Sequence, residues 1–113
     1  MTAYKFEYEG STYKMEFDRA SIKLAEKMFN LTLSDFLSGN EAKLPSLTTM
    51  EALFHASLLK HHPQIKESTV STLYELQSDK TELYQQLLEM YVEVIQPLMI
   101  GGPAKNGLKR EKI

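Results

Sequence analysis

Between Ser78 and Leu98 the apolar residues Leu83, Leu87, Met90, Tyr91, Val94 and Leu98 recur at offsets of three and four, the spacing that lines one side of an α-helix. A second row, Tyr84, Leu88, Tyr91 and Ile95, runs beside the first. Together the rows cover more circumference than a half-exposed helix buries, so this helix is expected to have neighbours on two sides. One neighbour is the core of its own domain; the other is either more core or a second polypeptide. Asp79 with Glu82 three residues on reads as a capping box, with Ser78 an alternative cap. Pro97 weakens the last turn, and Gly101, Gly102 and Pro103 stop the helix.

A chain organised around such a helix needs partners for it, and the rest of the sequence supplies them. Tyr4, Phe6 and Tyr8 alternate with Lys5, Glu7 and Glu9, and after Gly10 and Ser11 the alternation resumes with Tyr13, Met15 and Phe17 against Lys14, Glu16 and Asp18. Two period-two runs around a glycine-containing turn make a β-hairpin with one apolar face, marginal on its own and therefore packed on helices or extended by another copy. Asp18 is placed to cap a helix running to about Phe29, with Ile22, Ala25, Met28 and Phe29 inward. Thr32 and Asp35 mark a short helix ending at Gly39, and the stretch from Asn40 to Ser46, with Pro45, reads as a loop. Thr48 and Glu51 form a capping box for a helix from Thr49 to about His61, with Met50, Leu53, Phe54, Ala56 and Leu58 inward and Pro63 behind it. A further helix, roughly Lys66 to Gln77, presents Val70, Leu73, Tyr74 and Leu76. The expectation is an α+β fold, mostly helical: an N-terminal β-hairpin, then four or five α-helices.

At 113 residues the chain is the size of one domain, able to bury roughly two thirds of its unfolded surface. We expect that domain to span residues 1–100, followed by a flexible basic tail over 101–113 that lacks periodicity. The formal charge of −2 is unevenly spread, because Lys105, Lys109, Arg110 and Lys112 against Glu111 give the tail +3 and leave the body near −5. Absence of cysteine excludes disulfide and thiolate chemistry and fits a reducing compartment. The N-terminal residues lack the apolar core of a signal peptide, and no run approaches the roughly 18 apolar residues that span a bilayer.

Catalytic patterns are missing. His55, His61 and His62 lack the separation of three or four that places two metal ligands on one helix face, and Glu51 with His55 makes an incomplete pair. Such histidines are ordinarily surface groups near a helix C-terminus. No serine sits in a G-x-S-x-G elbow, Gly101 and Gly102 lead into Pro103 rather than a phosphate-binding lysine, and Glu89 with Glu93 reads as a solvated helix face. Neither an enzyme nor a bound cofactor is expected. The basic tail has no aromatic residue to stack on bases, so nucleic acid is not an expected partner.

The order of motifs resembles the tail assembly chaperones of long-tailed bacteriophages, particularly those of Gram-positive hosts and their prophages. The likeness runs through the opening YKFEYEGSTYKMEFD hairpin, the RASIKLAEKMFN helix, the LPSLTTMEALFHASLLKHHPQI helix, and the closing helix with its glycine-rich charged tail. It implies a non-catalytic helper in the host cytoplasm that coats the tape measure protein until tail tube protein polymerises around it, self-associates, and is absent from the virion. Such families often also make a longer, frameshifted product, for which codons near Lys105 and Asn106 would be the place. On that reading Tyr84, Leu88, Tyr91 and Ile95 form part of a groove for a partner helix, the alternative for this row being core. Two rivals differ in class: a small DNA-associated regulator using Thr49 to His61 and Lys66 to Gln77 as a helix-turn-helix, and a structural head-tail connector.

Overall fold

A computed structural model describes residues 2–40, 42–98, 108 and 110–113. Strands β1 (Tyr4–Tyr8) and β2 (Ser11–Met15) form an antiparallel hairpin, followed by helices α1 (Arg19–Phe29), α2 (Leu33–Phe36), α3 (Leu47–Leu58), α4 (Glu67–Leu76) and α5 (Lys80–Gln96). The expected α+β, mostly helical fold is the one found. The tail expected from Gly101 lies largely outside the described residues; Leu108 and residues 110–113 are exposed and carry no regular structure.

Glu9 and Gly10 form the two-residue turn between the strands, both at positive φ (49° and 79°), the backbone that matches hairpin twist and that glycine adopts without strain. Register pairs Tyr4 with Met15, Phe6 with Tyr13 and Tyr8 with Ser11, so the aromatic positions share one face. That face lies on the helices. Phe6 stacks on Phe54 of α3 at 5.9 Å and on Tyr13 at 5.4 Å.

Most helix starts follow the sequence expectations. Asp18 accepts the Ser21 N–H at 2.7 Å while the Ser21 hydroxyl accepts from the Asp18 N–H, and Thr32 and Asp35 make the same reciprocal pair. Asp79 caps α5 through the Glu82 N–H at 3.0 Å, but the expected return bond is not formed; the Glu82 carboxylate accepts from Gln86. α3 begins two residues before the expected Thr49, with Ser46 rather than Thr48 as its cap: Ser46 follows the buried Pro45 and accepts the Thr49 N–H, and the helix's bonds start from the Met50 N–H to the Ser46 carbonyl.

The centre of the molecule is α3 rather than α5. Leu53 through Leu59 are all buried, and α3 packs against β2, α1, α4 and α5. α5 adds Leu83, Tyr84, Leu87, Met90 and Tyr91 to the same core, which α1 completes with Ile22 and Ala25, α2 with Phe36 and α4 with Val70, Leu73 and Tyr74. Three residues expected inside are on the surface: Met28 is 50%, Leu76 59% and Leu98 51% exposed. Met28 lies on the side of α1 that also carries exposed Leu24, Leu76 is the last residue of α4, and Leu98 follows the end of α5.

Two polar ties hold the periphery to this core. Glu16, nearly buried, donates its N–H to the Ser57 carbonyl at 2.8 Å, and its carboxylate accepts from Lys60 Nζ at 2.6 Å and His61 Nε2 at 2.9 Å. Those hydrogen bonds to Lys60 and His61 outweigh burial and hold the Glu16 carboxyl at about 2, well below its ordinary 4.5. The second tie secures the α2–α3 loop: the Tyr84 hydroxyl donates to the Phe36 carbonyl at 2.8 Å and accepts the Gly39 N–H at 3.1 Å.

A carboxyl depressed in the folded state stabilises it above the unfolded value and loses that effect as pH falls. Glu16→Gln is therefore expected to cost on the order of 2 kcal/mol at neutral pH, and the gap to wild type should close as pH drops from about 4.5 toward 2, read by urea denaturation at each pH. Gly39 has no room for a side chain, since a Cβ would meet Pro45 Cδ at 2.5 Å and Tyr84 Cε2 at 2.9 Å. Gly39→Ala should destabilise by roughly 1–3 kcal/mol in the same assay.

Candidate interaction surface

The row expected to line a groove is split by the fold. Tyr84 and Tyr91 are core residues in this chain and present nothing to a partner. Tyr91 lies flat on Phe36, rings 3.7 Å apart and 4° from parallel, with Phe17 edge-on at 6.0 Å. Burial, with Glu26 nearby, pushes the Tyr91 hydroxyl up to about 12. Leu88 and Ile95 are half-buried. The helix turns its two tyrosines onto α2 and the segment after β2, and its other side is covered less completely.

Ile95 opens onto a groove of about 300 Å³ between α1 and the end of α5, lined by Arg19, Ile22, Lys23, Glu26, Ile95 and Leu98. Its apolar part is Ile22, Ile95 and Leu98, and its α1 wall carries two cations and one carboxylate. Farther round α1, Leu24 (42% exposed) and Met28 sit one turn apart beside Lys23 and Lys27. This apolar ridge with basic flanks was legible only in part: the offsets show that Leu24 and Met28 share a side, but not that the side is left uncovered.

The histidines are bound into the structure. His61 belongs to the Glu16 tie, and His62 accepts the Lys14 N–H through Nε2 at 3.0 Å. His55, expected on the surface, is buried against Phe29 with ring centroids 4.8 Å apart. Burial drives its pKa down, so it is held neutral, and its Nε2 has no hydrogen-bond partner among the described residues. It borders a cleft of about 380 Å³ with Glu51, Glu67, Ser71 and Val70, where the Ser71 hydroxyl reaches Glu51 at 3.5 Å. Because the orphaned nitrogen is itself sealed from solvent, this cleft offers an acidic rim rather than a ligating histidine.

Among the described residues no group of three or more His, Asp or Glu side chains could hold a metal ion, and no helix is long and apolar enough to cross a membrane. The described surface presents an apolar groove with basic flanks and the outer strand of the hairpin. No curated protein and no solved structure matches the chain. A domain family of unknown function, DUF5055, matches residues 2–111, almost the whole sequence, and the chain belongs to that family.

Proposed function

We propose that this protein is a non-catalytic assembly factor, a tail assembly chaperone that shields the tape measure protein in the host cytoplasm before tail tube protein enclosing it is added. The observation that carries this reading is the groove between α1 and α5, where half-buried Ile95 and exposed Leu98 lie over Ile22 beside Arg19 and Lys23. A groove of this kind suits an amphipathic helix bearing apolar anchors at i, i+3 and i+4 and acidic residues alongside. The motif order described above supports the same assignment, as does a domain small enough to coat a long chain in many copies. The groove proposed here keeps Ile95 from the expected row, does not include Leu88, and has Ile22 and Leu98 in place of Tyr84 and Tyr91.

The helix-turn-helix alternative has less in its favour. α3 is buried over most of its length, and the exposed positions of α4 are Glu67, Ser68, Thr72, Glu75 and Leu76, with no lysine or arginine in the helix to meet phosphates.

Co-expression with a tape measure protein tests the proposal. Ile95→Asp combined with Leu98→Asp should leave the circular dichroism spectrum and thermal midpoint close to wild type, and should reduce recovered complex at least tenfold. Undiminished co-purification by the folded variant would overturn the assignment of this groove.

A further inference from the structure

One edge of the hairpin is open, and its direction follows from the hydrogen bonds of β2. The Lys14 N–H donates to His62 and the Glu16 N–H to Ser57, so the even-numbered residues at this end of β2 turn their backbone groups away from β1. Lys14 stands opposite Lys5, and Thr12 opposite Glu7. Residues facing each other in an antiparallel ladder turn their backbone groups either toward one another or both outward. Lys5 and Glu7 therefore aim their N–H and C=O groups away from β2. Among the described residues no hydrogen bond engages them on that side, and both side chains are exposed. Tyr4, Phe6 and Tyr8 on the inner face of β1 are only half-buried, whereas Met15 of β2 is buried. Beside the strand lies a groove of about 180 Å³ lined by Phe6, Tyr8, Leu73 and the 59%-exposed Leu76.

We propose that β1 pairs antiparallel with β1 of a second copy across a two-fold axis at Phe6, joining two hairpins into one four-stranded sheet. An open edge is a template for another strand, and a self-pairing edge must be complementary to itself. Charge selects both occupant and register. Centred on Phe6, Lys5 stands opposite the partner's Glu7 and Glu7 opposite the partner's Lys5, each pair exchanging both backbone bonds with opposite charges side by side. Shifting the axis to Lys5 sets Lys5 against the partner's Lys5, and shifting it to Glu7 sets Glu7 against the partner's Glu7; both oppose like charges at the dyad. In the favoured register Tyr4 meets the partner's Tyr8 on the inner face, which continues the aromatic row over the helices. The axis runs perpendicular to the sheet, so both helical bodies lie on one side and the groove at Leu76 faces the second copy. This proposal does not depend on the tape measure reading.

Sedimentation equilibrium of the full chain tests it. Wild type should dimerise, and Lys5→Glu and Glu7→Lys should each weaken the dimer about tenfold or more, by placing like charges opposite one another twice. The double exchange Lys5→Glu with Glu7→Lys should restore it. An equimolar mixture of the two single variants should form heterodimers in preference to either homodimer, because only the mixed pair opposes unlike charges at every position. Circular dichroism checks that each exposed substitution leaves the fold intact. A monomeric wild type at about 100 μM, or a dimer indifferent to both single exchanges, would overturn the proposal.

Discussion

The structure depends on a helix that has no free side. From Leu53 to Leu59 every residue of α3 and its C-cap is buried, so this segment is stable only inside a shell, and β2, α1, α4 and α5 are that shell. Ser57 is satisfied within that shell, its hydroxyl donating to the Phe54 carbonyl at 2.6 Å and its carbonyl accepting from the Glu16 N–H. His55 enters the same environment as a neutral ring against Phe29. Surrounding elements thus commit one face each to α3 and differ in what becomes of the other.

That division explains where contact surfaces arise. The hairpin is too small to hold itself, and it is pinned at the end of β2 through Glu16, Lys60 and His61, and through Lys14 to His62. Pinning one strand at its outer edge leaves the opposite strand with unpaired backbone. Between α1 and the end of α5 a groove stays open, and there Ile95 is half-buried and Leu98 exposed. A chain that assembles with copies of itself through one surface and receives another polypeptide on a second would need this separation.

Much of the architecture is legible in the sequence because it rests on local chemistry. The alternation of Tyr4 to Tyr8 and Tyr13 to Phe17, the turn at Gly10, and the caps at Asp18, Thr32 and Asp79 each involve groups within a few residues of one another, and each is found in place. Where two local solutions compete the sequence is ambiguous. Thr48 with Glu51 is a good cap on paper, yet Ser46 prevails because starting earlier adds backbone bonds while Pro45 is buried behind it.

What the sequence by itself determined is the set of elements, their order and the angular positions of their apolar rows, since these follow from backbone periodicity and capping. Which row meets core and which meets solvent was decided only by the tertiary structure. Tyr84, Leu88, Tyr91 and Ile95 form one continuous stripe on α5, but Tyr84 and Tyr91 fall where α2 and Phe17 close over them, and Ile95 falls beyond that cover. Met28 shares the uncovered side of α1 with Leu24, and Leu76 is the last residue of α4; both stay outside although the offsets alone would place them with the buried rows. Periodicity reports direction around a single axis; burial depends on how many other axes pass within reach, which is a property of the assembled chain.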